Sequence, residues 1–566
     1  MNQRFTGTTA GMTGAEALLR VLRSMGVERI FASPGSDWAP LWEALAAPDA
    51  EEDFPQYTSS RHEETAVGMA LGYAKATGKL PAVVLHTTVG SMHGAMVVRA
   101  ALHERIPMVV LAGESVGFSE PPSQKVGRQW LRLLTDTGGP ARLMENCTKW
   151  SFGLNTGVIL PQTIQRACQL AMSAPKGPVF VSVPVEYLVQ TMSASAPHAT
   201  LPLPAVASPQ ALDELAAALN GARNPVIVTE AAGKDAAAVA SLVALAEQLE
   251  APVFEAWQPY YVNFPRSHPL YGGLAYDDMP EMLAEADAVF LVESVLPWHP
   301  PSSIADKKVL VLAEDPLQSQ LPYWGFRADV IAAGEVAPSL QQLNSRIAKR
   351  KATHDWRGRL ETRRDAQRQA GKGAGDKPVI ETAWVGHELN ALLPADAVVV
   401  NETITHRPDL VKQLHRVGNG GYFEANYGGL GVGLGLALGV KSAQPERMVV
   451  ATIGDGAFHY NPVIASFGAS QEHRLPIFVI LFNNAGYLSQ KTDVTNYYPQ
   501  GQAAKSGKFI GTSITPPPDY ALLARAYGGV GEKVEHPRGV RAALQRGLQA
   551  VEKGQLALLE VRLAVI

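Results

Sequence analysis

The residues best placed to do chemistry lie in one stretch, RMVVATIGDGAFHYNPVIASFGASQEHRLPIFVILFNNAGYL, residues 447–488. Its first apolar run ends at Gly454, Asp455 and Gly456, a helical pattern follows, and the second run, IFVILF, ends at Asn483 and Asn484. Two such runs joined by a helix make neighbouring parallel strands, which puts Asp455 and Asn484 at carboxyl ends, where open α/β sheets bind ligands. A carboxylate, an amide oxygen and a nearby backbone carbonyl are hard oxygen donors. They are too few to cage a metal alone and suit Mg2+ whose remaining ligands come from phosphate and water. Gly454 and Gly456 let phosphate approach the backbone, and the start of the next helix favours negative charge. Taken alone, Gly-Asp-Gly is more often an ordinary turn.

Other candidates are scattered. SSRHEETAVGMALGYAKATG starts a helix just after YTSS and carries Glu63 and Glu64, acids that in isolation would simply offset a helix dipole. YGGLGVGLGLALG, residues 427–439, is glycine-rich where a helix begins, which is tolerable only where something approaches the backbone closely. Leu430 lies in it and could equally be core.

Gly-Asp-Gly followed, after 26 residues (457 to 482), by Asn-Asn resembles the cofactor signature of the thiamine-diphosphate enzyme family, and the resemblance covers nearly the whole chain. It implies pyrimidine-binding, middle and diphosphate-binding domains in that order, with thiamine diphosphate and Mg2+ as cofactors and no FAD. By this resemblance Asp455, Asn484 and the Gly486 carbonyl bind the metal, while Thr405, Gly454, Gly456, Ala457 and Tyr487 contact the cofactor. Leu430 braces its two rings in a V shape. Glu63, rather than Glu64, hydrogen-bonds the pyrimidine nitrogen and promotes the tautomer that takes the thiazolium proton. The glutamate and the metal motif of the family come from different subunits, which implies a homodimer or homotetramer with active sites at the subunit interface.

Within the family the pattern is closest to benzoylformate decarboxylase: SPGS (Ser33 to Ser36), His86 in VVLHTTVG, His299 in VLPWH, VVNET and the GGLG run. That resemblance implies Ser36, His86 and His299 around the substrate carbonyl, where imidazole suits proton transfer near neutrality. The plain alternatives are a helix cap for Ser36, a strand-end residue for His86 and an interdomain contact for His299. Leu133 and Leu134 resemble the apolar wall of the acyl pocket. The polar run QKTDVTN, with Asp493, stands where the decarboxylase carries an aromatic, and it suits a polar or cationic substituent. The expected reaction is non-oxidative decarboxylation of a 2-oxo acid to an aldehyde. The alternatives are carboligation or its reverse, as in acetolactate synthase, benzaldehyde lyase or 2-hydroxyacyl-CoA lyase, and a relative that binds the cofactor without catalysis.

These side chains must be positioned by several domains. The chain has 566 residues, 46% apolar and 18% charged, more than one core organises and too apolar for disorder. A net charge of -4 and the lack of a basic, aromatic-interleaved stripe speak against nucleic acid as a partner. Cys147 and Cys168 are too few for a disulfide framework, and no apolar run approaches the ~20 residues that span a bilayer, so a cytoplasmic protein without membrane contact is expected. Strand-like and helical runs alternate in three blocks, which predicts α/β architecture with three doubly wound parallel-sheet domains. The expected boundaries are 1–190 for the pyrimidine domain, 191–348 for a Rossmann-like middle domain, 349–377 for a charged, exposed helix and connector, and 378–566 for the diphosphate domain. GPVFVSVP reads as the last strand of the first block, and the first and third blocks are candidates for the same fold.

Overall fold

The computed structural model describes residues 11–48, 50–114, 138–192, 199–294, 304–319, 327–351, 353–425 and 428–565. Leu133, Leu134 and His299 lie outside the described residues. The first block supplies β1 (Arg29–Ser33), β2 (Gln56–Ser59), helix α1 (Glu63–Thr77), β3 (Ala82–Leu85), α2 (Thr87–His103), β4 (Met108–Glu114), β5 (Trp150–Gly153) and β6 (Pro178–Pro184). The middle block supplies β7 (Pro225–Thr229), β8 (Val253–Glu255), β9 (Tyr271–Leu274), β10 (Ala288–Val292), β11 (Lys308–Ala313) and β12 (Val330–Ala333), followed by α3 (Trp356–Gly373). The third supplies β13 (Val398–Glu402), β14 (Tyr422–Glu424), α4 (Gly433–Ala443), β15 (Val449–Gly454), α5 (Asp455–Tyr460), α6 (Val463–Glu472), β16 (Phe478–Asn483), α7 (Leu488–Tyr497), β17 (Val530–Val534) and β18 (Ala557–Arg562).

Each block builds one six-stranded sheet, and every neighbouring pair in the three sheets is parallel. The inner strands β3 and β16 are buried along their whole length, as parallel strands covered by helices on both faces must be. The first sheet runs β2-β1-β3-β4-β6-β5 and the third β14-β13-β15-β16-β18-β17, so the two blocks share one strand order. The middle sheet differs, β9-β8-β7-β10-β11-β12. The strand of GPVFVSVP, β6, is last in the chain but interior in the sheet; the edge is β5, a half-buried Trp-Ser-Phe-Gly without a strong apolar pattern.

The described residues pack as two compact units. One joins Met1–Leu203 with Ala425–Pro445 and Asn461–Leu475, and so takes in α4 and α6; the other holds the middle and third sheets. Within the first unit, α1 is buried from Thr65 to Lys75. Here α4 crosses it backbone to backbone: a Cβ on Gly72 would come 2.2 Å from the Leu436 carbonyl oxygen, and one on Gly439 2.1 Å from that of Met69. The glycines inside α4 are thus required by space, whereas Gly428 and Gly431 ahead of it take φ +77° and +104°.

In the second unit α3 is the expected charged helix, exposed on one side and docked on the other. Trp356 and Leu360 are buried, Arg357 pairs with Glu250 at 2.8 Å, Arg359 with Glu285 at 2.8 Å, and Arg364 donates to the carbonyls of His268, Pro269 and Tyr271. Arg357, Arg359, Arg363 and Arg364 are thus turned to acids and carbonyls of the middle block, while Arg368 pairs with Asp365 of the same helix. No described helix is long and apolar enough to cross a membrane.

Candidate active site

In the second unit, β15 and β16 are adjacent and parallel, with Gly454 opposite Phe482. Asp455 and Asn484 therefore emerge side by side. The Gly486 amide lies between them, donating to Asp455 Oδ2 at 3.1 Å and to Asn484 Oδ1 at 3.2 Å; Asp455 Oδ1 accepts from the Gly456 amide at 2.9 Å. The turn is stitched in place from both sides. Asn483 Oδ1 accepts from the Ala485 amide at 2.9 Å, Ala485 takes φ +59°, and Ala485 and Tyr487 hydrogen-bond Ile514 and Thr512. Asp455 is 2% exposed, and burial pushes its carboxyl up to about 6 against the opposing pull of the backbone amides.

Among the described residues no cationic side chain pairs with Asp455. A buried carboxylate held only by neutral amides, beside an amide oxygen, is a donor set that fits a hard divalent cation. Above it, no atom lies within 4 Å of a Cβ built on Gly454, which leaves open space, whereas one on Gly456 would meet the Tyr487 ring at 2.8 Å. Ala457 is buried in the short helix α5, which stops before Pro462 rather than running on as one helix. His406, which the sequence did not single out, places Nε2 3.3 Å from Asn484 Nδ2, and burial lowers its imidazole to about 4. Thr405 precedes it in a 3-10 turn, exposed, and the next residue, Arg407, anchors the turn through Nε to Glu424 at 2.6 Å. Asp493 is exposed on α7.

In the first unit, His62 caps α1 by accepting from the Glu64 amide at 3.1 Å, which leaves Glu63 as the first helical residue. Its carboxylate lies over the start of α2. Oε1 would be 3.2 Å from a Cβ on Gly90, and Oε2 is 3.3 Å from His93 Nδ1. The His93 ring stacks on His62 with centroids 5.3 Å apart. A Cβ on Gly429 would meet Met96 Sδ, so the turn leading into half-buried Leu430 rests on α2 two helical turns from Gly90. Ser36 is exposed in the 3-10 turn Ser36–Trp38, and half-buried His86 faces Asp37 with Nδ1 2.6 Å from Oδ1. The structure thus groups Asp455, Asn484, Gly486 and Tyr487 in one unit and Glu63, Ser36, His86 and the Leu430 turn in the other. Asp37, His93 and His406 are neighbours the sequence did not mark; for Asp37 and His406 a titratable side chain shortly after a strand was the one available hint.

Comparison with known proteins agrees across all three blocks. Residues 12–130 match the model described as thiamine pyrophosphate enzyme, N-terminal TPP binding domain; residues 212–343 match the central domain and residues 408–561 the C-terminal TPP binding domain. Benzoylformate decarboxylase of Pseudomonas aeruginosa is 28% identical over 83% of this chain and 86% of its own. The acetolactate synthase isozyme 3 large subunit of Escherichia coli is 26% identical over 97% of this chain and 94% of its own. A probable 2-ketoarginine decarboxylase of Pseudomonas aeruginosa is 27% identical over 91% of this chain and 88% of its own. Among solved structures, the thiamine diphosphate-dependent 4-hydroxybenzoylformate decarboxylase of Rhodococcus jostii superposes with a TM-score of 0.80 at 25% identity, covering 98% of this chain and 100% of that one. With three sheets of the matching architecture and all three family domains in order, the chain belongs to the thiamine pyrophosphate enzyme family.

Proposed function

We propose that this protein is a Mg2+-dependent decarboxylase that releases carbon dioxide from a 2-oxo acid and leaves an aldehyde. The observation that carries the reading is the convergence of Asp455 and Asn484 on the Gly486 amide, at the ends of neighbouring strands and, among the described residues, with no cationic side chain paired to them. Asp455, Asn484 and the Gly486 carbonyl would hold Mg2+, with Gly454, Gly456, Ala457, Thr405 and Tyr487 around the diphosphate. Thiamine diphosphate, when bound, supplies the carbon nucleophile and the electron sink that the amino-acid side chains lack. Glu63, 17% exposed and braced by His93, would hydrogen-bond the pyrimidine nitrogen and hold its proton; Leu430 would fix the angle between the rings. Ser36, His86 and His299 would orient the carbonyl and move protons, and Leu133, Leu134 and Asp493 would line the acyl pocket. An acid at Asp493 favours an oxo acid with a polar or cationic tail, and the likeness to a probable 2-ketoarginine decarboxylase supports this over a bare phenyl ring.

In this reading the domains divide at 1–190, 191–348, 349–377 and 378–566, and a second copy of the chain completes each active site. A panel of aliphatic, aryl, acidic and guanidino 2-oxo acids, assayed with and without an acceptor aldehyde, tests the reading. Free aldehyde and carbon dioxide are expected; a hydroxyketone as sole product would move the protein to the carboligases. Glu63→Gln should lower turnover at least ~100-fold with the fold retained. Thiamine diphosphate with Mg2+ should raise the melting temperature, stabilising by about 2.7 kcal/mol at a hundred times Kd, and EDTA should reverse the shift.

A further inference from the structure

Beside the switch point of the first sheet, where β1 and β3 run together, the chain builds a carboxylate-imidazole pair. Trp38 Nε1 donates to the Leu85 carbonyl at 2.8 Å, which ties the 3-10 turn after β1 to the end of β3 and turns Asp37 toward the next residue, His86. The Asp37 side chain is 1% exposed, with Oδ1 2.6 Å from His86 Nδ1 and Oδ2 buried without a hydrogen-bond partner among the described residues. Two glycines make the room: a Cβ on Gly35 would lie 2.1 Å from His86 Nδ1, and one on Gly113 1.8 Å from Asp37 Oδ2. Thr87, immediately after the imidazole, is held at φ +35°, a costly angle for a β-branched residue. An incidental surface ion pair requires none of these features, whereas a buried, single-partner carboxylate must be matched by a proton on its neighbour.

We infer that Asp37 is a positioning residue that locks His86 in the Nδ1–H form and so makes Nε2 the proton-transfer atom. The catalytic half of this inference rests on the proposed decarboxylation. Protonated His86 gives its Nε2 proton to the substrate carbon after carbon dioxide leaves, keeps its Nδ1 proton, donated to Asp37 Oδ1, and regains a proton at Nε2 from water. Gly90 lies against both His86 Cβ and the Glu63 carboxylate, so the pair acts beside the acid proposed to hold the cofactor proton. The logic is that of a buried acid orienting a catalytic histidine.

The test combines a structural and a kinetic readout on the full-length holoenzyme. Nitrogen NMR of enzyme labelled with 15N-histidine, with His86 assigned by its loss in His86→Gln, should show the proton on Nδ1; a neutral His86 protonated on Nε2 overturns the inference. Asp37→Asn should lower kcat about 100-fold or more with KM within about threefold. The same substitution should cost almost nothing further in a His86→Ala background. An equal loss in both backgrounds would make Asp37 merely structural and overturn its role. If the wild type releases carbon dioxide from no 2-oxo acid, the proposed function fails while the NMR result still decides the pair. If Asp37→Asn does not fold, the wild-type spectrum decides alone.

Discussion

Cys168 is fully buried, and burial pushes its thiol up to about 12, whereas Cys147 is half-buried, its thiol also raised by burial. Since the thiolate is the reactive species, alkylation of the native protein between pH 7 and 9 should modify Cys147 slowly and leave Cys168 untouched, with both labelling after denaturation; mass spectrometry reads the sites. Native labelling of Cys168 would mean that its helix opens. At this scale, what was legible in the sequence was what lies close in sequence or at a fixed spacing. Asp455 and Asn484 end two consecutive strands, so local pattern marked them as candidates, whereas Glu63 was set apart from Glu64 only by the family resemblance. Asp37 and His86 are 49 residues apart and meet because β1 and β3 are neighbours in the sheet, a pairing that composition does not reveal. His406 reaches Asn484 across 78 residues and over the end of β15, which separates β13 from β16 in the sheet.

Among the elements, the crossing of α1 and α4 gives the sharpest prediction. Gly72→Ala sets a methyl against the Leu436 carbonyl, so it should destabilise by about 1–3 kcal/mol in urea denaturation, despite alanine's better helix propensity. Gly373, at the end of α3 with helical φ and nothing within 4 Å of a built Cβ, is the control: Gly373→Ala should be neutral or stabilise by up to about 1 kcal/mol. Alternation of apolar runs revealed that parallel sheets form. It did not reveal which strand lies at an edge, because β5 is half-buried and weakly apolar. Nor did it reveal that α3 is docked: a run of arginines looks the same whether its partners are water or, as here, Glu250, Glu285 and three carbonyls.

For the molecule as a whole, the proposed sharing of sites between subunits has a direct test. Glu63→Gln and Asp455→Asn, each inactive alone, should regain a measurable fraction of wild-type turnover when co-expressed, because a mixed dimer then contains one intact site; no recovery would place each site within a single chain. The common strand order of the first and third sheets was foreshadowed only as a likeness of blocks, since strand order depends on pairing between distant segments. The first unit is also discontinuous, Met1–Leu203 being completed by Ala425–Pro445 and Asn461–Leu475. On the ribosome, the glycine face of α1 must therefore wait for helices that emerge on the order of tens of seconds later, at about 5–20 residues per second. An N-terminal fragment expressed alone would keep that groove open to solvent and to other nascent chains.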